Sequence, residues 1–522
     1  MKKGFVYIAF LGLLAASCAK DLGNYNYHTL PSPTVTGIDT RIDARKNERL
    51  QLAPNIEGEG FDASNCRFEW KAISVNDADS ATVIGTEREL DYLMLLPEGA
   101  YTLYFTITDR PTGVFWQTNY ELWVTQVTSE GWMVLCSDNG KTRLDMISAV
   151  TGQTYRDVLS NTGIPELNGP RRIQQLKGYT EEDSPFYLLT DEGATRLGND
   201  GFAWKEEYSL HYEMGQSHTA IPYEMVTTAG GKMMVSGTDF YYASTRTIIE
   251  LFGMPRNKDF RVAPMAGSNV ASTSVIAPLV LMYDIDNKRF MGYGHLLAGE
   301  DFNNMDPLHE MNEMAALLDD LLDDLTDGGV IGSAFDVFPT GYDYVYMENT
   351  RYDPGNGKMG VTYTVLSDGE KRHLYGIQLG DMLPQSWTDC QSALGKAYYG
   401  DLSACTDITK VSDLFAFSSL KNCMYYAVGG TLYRVDLSAA PLRAERQFTL
   451  PNGEQITRLK FNLYRNTANQ NRSYDLVVGS LKGEEGILRI YRDNALEGDF
   501  SKVEPEVYGG FARIVDATYR EW

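Results

Sequence analysis

Three groups of residues have types and spacings that chemistry could use. Asp284, Asp286 and Asn287 offer carboxylate and amide oxygens of the kind calcium takes. The run lacks the spacing and closing Glu of an EF-hand loop, and a β-turn is the preferred reading of the same residues. Asp320, Asp323, Asp324 and Asp327, with Asp319 beside them, crowd one end of a helical pattern. They oppose the helix macrodipole there by roughly some tenths of a kcal/mol each. Such a row is either a solvated face or a surface that docks a basic partner or collects divalent cations. Tyr241, Tyr242, Tyr342 and Tyr344, drawn from 33 tyrosines, are candidates to stand exposed and stack on a sugar or a peptide; the alternative is that strand-favouring aromatics are packed.

Other chemistry is unsupported. His211 and His218 are too far apart for one helical turn, no H-E-x-x-H occurs, and neither a G-x-S-x-G elbow nor a phosphate-binding glycine loop is present. No cofactor is expected. Cys66, Cys136, Cys390, Cys405 and Cys423 lack any C-x-x-C spacing and read mainly as buried apolar residues; a Cys390–Cys405 bridge is compatible with an oxidising compartment. With 46 basic and 70 acidic residues and a net charge of −24, nucleic acid is excluded as a partner class.

The elements that would position these groups are strands. Ser137-Asp138-Asn139-Gly140-Lys141-Thr142-Arg143-Leu144 recurs as Thr190-Asp191-Glu192-Gly193-Ala194-Thr195-Arg196-Leu197, each after an apolar strand. Looser copies lie around Gly237, Asp284–Asn287, Gly369, Gly429-Gly430 and Gly483. Strand, tight turn, strand is a hairpin. A hairpin repeated about every 50 residues predicts a β-propeller of about seven blades over 129–522, with the strand Arg513 to Tyr519 completing the first blade. Residues 305–329, with Met314, Leu317, Leu318, Leu321, Leu322 and Leu325 at helical spacing, predict an inserted helix. Residues 34–128 alternate as short strands between turn residues, with Trp70 placed to be buried, and predict an immunoglobulin-like β-sandwich. The fold class is therefore all-β. Cys136, Asp138, Gly140 and Thr142 also fall on the Asp-box pattern of sialidase-type propellers. A Cys replaces its leading Ser and Arg143 its closing aromatic, so a structural turn is the preferred reading.

The stretch Pro97-Glu98-Gly99-Ala100-Tyr101-Thr102-Leu103-Tyr104-Phe105-Thr106-Ile107-Thr108-Asp109 resembles the late hairpin of a PKD domain, although the Gly-Asp-Gly turn usual after the tryptophan is missing. At the N-terminus, Lys2 and Lys3, an apolar run and Ala15-Ala16-Ser17-Cys18 read as a lipoprotein signal peptide over 1–17. Cys18 is then the lipidated residue, with a tether over 18–33. Lys20-Asp21 resembles the export signal that sends lipoproteins of some gut Gram-negative bacteria to the outer face of the outer membrane. The opening Cys18-Ala19-Lys20-Asp21-Leu22-Gly23-Asn24-Tyr25-Asn26-Tyr27 resembles PKD-like surface lipoproteins of gut anaerobes. That resemblance implies an outer-membrane companion of a TonB-dependent importer and its lid lipoprotein of the SusC/SusD type. The implied function is noncatalytic: binding or presenting a glycan or peptide nutrient. Two alternatives stand beside it, a propeller hydrolase or lyase with carboxylates from different blades, and a structural assembly or adhesion subunit.

Overall fold

The computed structural model describes residues 32–77, 79–176, 185–216, 219–228, 230–244, 251–272, 279–294, 308–322, 330–380, 394–451, 453–463, 472–492 and 498–521, without the side chains of 320–322. Cys18, Lys20, Asp21, His218, Asp323, Asp324, Asp327, Cys390 and the side chain of Asp320 lie outside them. The chain forms two compact units, Met1–Thr125 and Gln126–Trp522. Among the described residues both are nearly all β.

In the first unit a five-stranded sheet runs Arg41–Arg45, Phe115–Thr125, Gly99–Asp109, Cys66–Ser74, Ala81–Gly85. Its first pair is parallel and the rest antiparallel. Two short pairs, Arg49–Leu52 with Leu90–Leu93 and Thr34–Thr36 with Asn55–Glu57, accompany it. Strand side chains alternate between faces, and Tyr101, Leu103, Phe105 and Ile107 are the buried set on the longest strand. Trp70 is fully buried, stacks on Phe105 at 4.2 Å and donates from Nε1 to the Glu87 carbonyl at 3.0 Å, so its one polar atom is satisfied. Tyr101 donates its hydroxyl to the Pro97 carbonyl at 2.8 Å, pinning the turn that precedes its own strand.

The second unit contains seven sheets among the described residues. Sheet 1 runs Arg513–Arg520, Gly131–Asp138, Lys141–Ser148, Thr154–Tyr155; sheet 2 runs Pro170–Gln175, Phe186–Thr190, Gly193–Leu197. Sheet 3 is Pro222–Thr227, Gly231–Ser236, Asp239–Ser244, and sheet 4 is Leu279–Asp284, Arg289–Gly294, Leu308–Glu310. Sheet 5 is Asp343–Asn349, Thr362–Ser367, Arg372–Leu379, Leu394–Asp401, Val330–Ile331. Sheet 6 is Phe415–Phe417, Cys423–Val428, Thr431–Asp436, Ala444–Thr449, and sheet 7 is Gln455–Phe461, Leu476–Lys482, Glu485–Tyr491, Glu506–Phe511. Each repeat expected from the sequence is a hairpin. In the first, Asn139 at φ 53° and Gly140 at φ 89° are both left-handed, the type I′ geometry whose twist matches the strands it joins.

Each sheet packs on the next, and the seventh on the first. Side chains clamp the seams: Gln174 exchanges hydrogen bonds with the Met225 backbone across sheets 2 and 3. Asn349 of sheet 5 accepts from Ser268 N and donates to Ala266 O, on the segment that bridges to sheet 4. Arg513–Arg520 pairs with Gly131–Asp138, as the sequence predicts. Helix α1 spans Met311–Leu322 and buries Met311, Met314, Ala315 and Leu318 against sheet 4. Gly292 allows this approach, since a Cβ there would lie 2.7 Å from the Met311 sulfur.

Candidate functional site

Asp516 ties strands of three sheets together. It lies mid-strand in sheet 1, fully buried, and accepts from Arg458 Nε at 2.9 Å and Lys460 Nζ at 3.1 Å on sheet 7 and from Ile173 N at 3.1 Å on sheet 2. Arg458 and Lys460 are two apart on one strand, so both reach the same face. Burial by itself would raise the Asp516 pKa, but the charges of Lys460, Arg458 and Arg172 outweigh it and hold the carboxyl at about 2. Burial likewise pushes the Lys460 ammonium below its usual range, and the neighbouring Arg458 and Arg172 add to that while Asp516 opposes it.

Two adjoining cavities open along these strands and share Arg172 and Arg458. The larger, about 890 Å³, is lined from six of the seven sheets or the segments leading into them, and four arginines (171, 172, 458, 513) and two aspartates (239, 413) face it. A chain of net charge −24 thus presents a cavity with more cations than anions. Arg172 donates to the Tyr223 hydroxyl at 2.5 Å, lies over that ring at 4.4 Å, and faces Glu224 at 4.0 Å. Its Nε is buried without a hydrogen-bond partner. Arg171 pairs with Asp191 at 2.6 Å.

The smaller cavity, about 90 Å³, holds Glu224, Tyr346, Glu348 and Lys460. Glu348 accepts from the Tyr346 hydroxyl at 2.9 Å and from Phe417 N at 3.3 Å, a bond that crosses from sheet 5 to sheet 6. Burial is the dominant influence on it and Glu224 adds to it; against the lowering effect of those hydrogen bonds and of Arg458, the carboxyl is pushed up to about 8. At neutral pH Glu348 is therefore mostly protonated, while Asp516 is ionised.

The residues singled out by sequence fall in different places. Tyr241 lines the larger cavity, although its residue surface is only 5% exposed. Tyr242 is buried and donates to the Gly230 carbonyl, correcting its expected exposure; strand Asp239–Ser244 is covered on both faces, which an isolated Tyr-Tyr pair does not reveal. Tyr342 stacks on His373 at 5.1 Å, and Tyr344 is partly buried beside Tyr283. The four tyrosines do not form one platform. Asp319 is exposed and accepts from Val330 N at 2.9 Å.

Asp284 serves a turn: its carboxylate accepts from Asp286 N, Asn287 N, Asn287 Nδ2 and Arg289 Nε at 2.8–3.1 Å. Asp138 of the Asp-box-like hairpin pairs with Arg143 at 2.6 Å, so the residue in the aromatic's place serves the turn itself. No group of three or more His, Cys, Asp or Glu suited to a metal ion occurs among the described residues. The sequence reading missed Arg172, Glu224, Glu348, Arg458, Lys460 and Asp516. The available signal was a charge inside an otherwise apolar strand, as in Ile514-Val515-Asp516-Ala517.

Residues 18–170 match the model of the PKD-like family. No curated protein matches the chain. A quinonprotein alcohol dehydrogenase-like protein from Bacteroides thetaiotaomicron is similar at 12% identity, with 94% of this chain and 99% of that one covered and a TM-score of 0.38. Hsv2 of Kluyveromyces lactis is similar at 8% identity, 73% and 99% coverage and a TM-score of 0.33. The WD40 domain of SCAP from fission yeast is similar at 7% identity, 66% and 74% coverage and a TM-score of 0.31.

Proposed function

We propose that this chain is a noncatalytic binding protein of the cell surface. In this reading it is anchored in the outer membrane through acylated Cys18, and the second unit is a seven-bladed propeller that binds a glycan or peptide nutrient and presents it to a TonB-dependent importer with its lid lipoprotein. The observation that carries it is the larger cavity, on which side chains from four sheets and from the segments leading into two more converge. Its size is that of sites that enclose small ligands, roughly 300–1,000 Å³, and its wall mixes guanidinium, hydroxyl, carboxylate and tyrosine groups that can fix a polar ligand's orientation. The resemblance of Lys20-Asp21 to an export signal supports placement facing the cell exterior. Purification from gently solubilised native membranes tests the reading: an importer and lid lipoprotein are expected to come with the chain, and recovery of the chain alone would overturn the accessory role.

A second reading rests on Glu348. A carboxyl held protonated near neutral pH in a cavity that also contains Glu224 is what a general acid with a companion base requires. Turnover of a polymeric substrate that is lost in Glu348→Gln would favour a hydrolase or lyase; no turnover favours the binding role.

A further inference from the structure

We propose that the larger cavity selects a carboxylate-bearing oligosaccharide, a chain of uronate sugars, with Arg458 and Arg513 taking the carboxylate. The proposal rests on the binding reading above and names its ligand class. Arg458 is 8% exposed, yet only its Nε is bonded, to Asp516. Among the described residues its two terminal nitrogens have no protein acceptor, and the side chain lines the cavity. A guanidinium so held presents the planar fork that matches a carboxylate in two parallel hydrogen bonds. Arg172, 7% exposed with an Nε that makes no hydrogen bond, lines the same wall. Arg513 is exposed at the rim and has no ion pair among the described residues.

The two aspartates on the wall decide between kinds of acidic ligand. Asp239 and Asp413 are both exposed to the cavity and accept hydrogen bonds only. Each uronate ring carries hydroxyls beside its carboxylate and can donate them to these aspartates, whereas the side chains of an acidic peptide carry carboxylates alone and leave only backbone N–H groups to donate. Thr219, Ser236 and Thr457 add hydroxyls suited to the same ring atoms. The volume admits roughly two or three sugar rings.

Calorimetric titration of the full chain with trigalacturonic acid, its methyl ester, and triglutamate tests this. The free acid is expected to bind about tenfold or more tightly than the ester, as loss of a charge-assisted bidentate contact implies. Arg513→Ala, a rim residue without a structural partner, is expected to weaken the free acid several-fold and leave the ester unchanged. Arg458→Lys, which keeps the positive charge beside Asp516 but removes the fork, is expected to do the same, with far-ultraviolet circular dichroism confirming that it folds. Equal binding of acid and ester would overturn the carboxylate assignment while leaving the nutrient-binding reading intact. Tighter binding of triglutamate would overturn the sugar assignment. Binding of the free acid untouched by both substitutions would place the site elsewhere, and no binding of any probe would count against this proposal, while the importer co-purification judges the wider reading separately.

Discussion

At the scale of single residues, the molecule's least replaceable group is Asp516. Removing one partner of a buried ion pair leaves the others desolvated and uncompensated, at a cost of about 3–5 kcal/mol. Asp516→Asn leaves both Arg458 and Lys460 in that state. Chemical denaturation should therefore show a loss of that order, and a loss under about 1 kcal/mol would mean that cavity water solvates the two cations. Glu348 predicts the opposite kind of effect. Its folded pKa of about 8 lies above the value of about 4.3 for a free Glu side chain. Between those limits the folded state holds a proton that the unfolded state has lost, so stability falls as pH rises from about 4.5 to 8 and is flat on either side. Glu348→Gln removes that contribution. The variant's stability curve should be flatter than the parent's across that window, and its advantage should grow toward pH 8; parallel curves would show that Glu348 ionises as an ordinary surface carboxylate.

At the scale of elements, the hairpins were legible in the sequence and the cavities were not. A turn such as Asn139-Gly140 is written in adjacent residues, because the left-handed conformation selects Asn and Gly. The burial of Trp70 and the alternation from Tyr101 to Ile107 are equally local. Helix α1 was visible through Met314 and Leu318, but Leu317 is only partly buried. The cavities instead gather Arg172, Glu348 and Arg458, with Asp516 buried behind Arg458, and the neighbours of all four in sequence are the ordinary residues of strands. What brings them together is the placing of edge strands from neighbouring sheets side by side, which no local pattern encodes. Glycines separate two costs within the same first hairpin. Gly140 has open space around it, so Gly140→Ala pays only for its left-handed backbone, about 1–2 kcal/mol. Gly131, at φ 142°, would in addition bring a Cβ to 2.1 Å from the Ile147 carbonyl oxygen. Gly131→Ala should therefore lower the unfolding midpoint well beyond Gly140→Ala, and equal midpoints would mean that the strand pair shifts to relieve the contact.

At the scale of the whole second unit, the pairing of the last strand with the first determines how the seven sheets share stability. An open row of sheets, each touching only its neighbours, frays from its ends and can unfold in steps. Here Arg513–Arg520 supplies an edge of sheet 1, and through Asp516 it holds sheet 7 by Arg458 and Lys460 and sheet 2 by Ile173. Ile514 and Ala517 on the same strand are buried in the cluster that joins sheets 1 and 7. Removing the strand should therefore do more than subtract its own contacts, because it leaves Gly131–Asp138 as an unpaired apolar edge and the two cations of sheet 7 without their counter-ion. A chain ending at Ala512 should unfold at lower denaturant and over a broader range, with hydrogen exchange accelerated first in sheets 1, 2 and 7 and only later in sheets 4 and 5. Asp516→Asn, which keeps the strand, should lower the midpoint while preserving a single sharp transition. If the truncated chain instead keeps one sharp transition with uniform protection, cooperativity resides in the seam contacts between neighbouring sheets, such as Gln174 with Met225 and Asn349 with Ser268, and closure by the last strand adds only its own share.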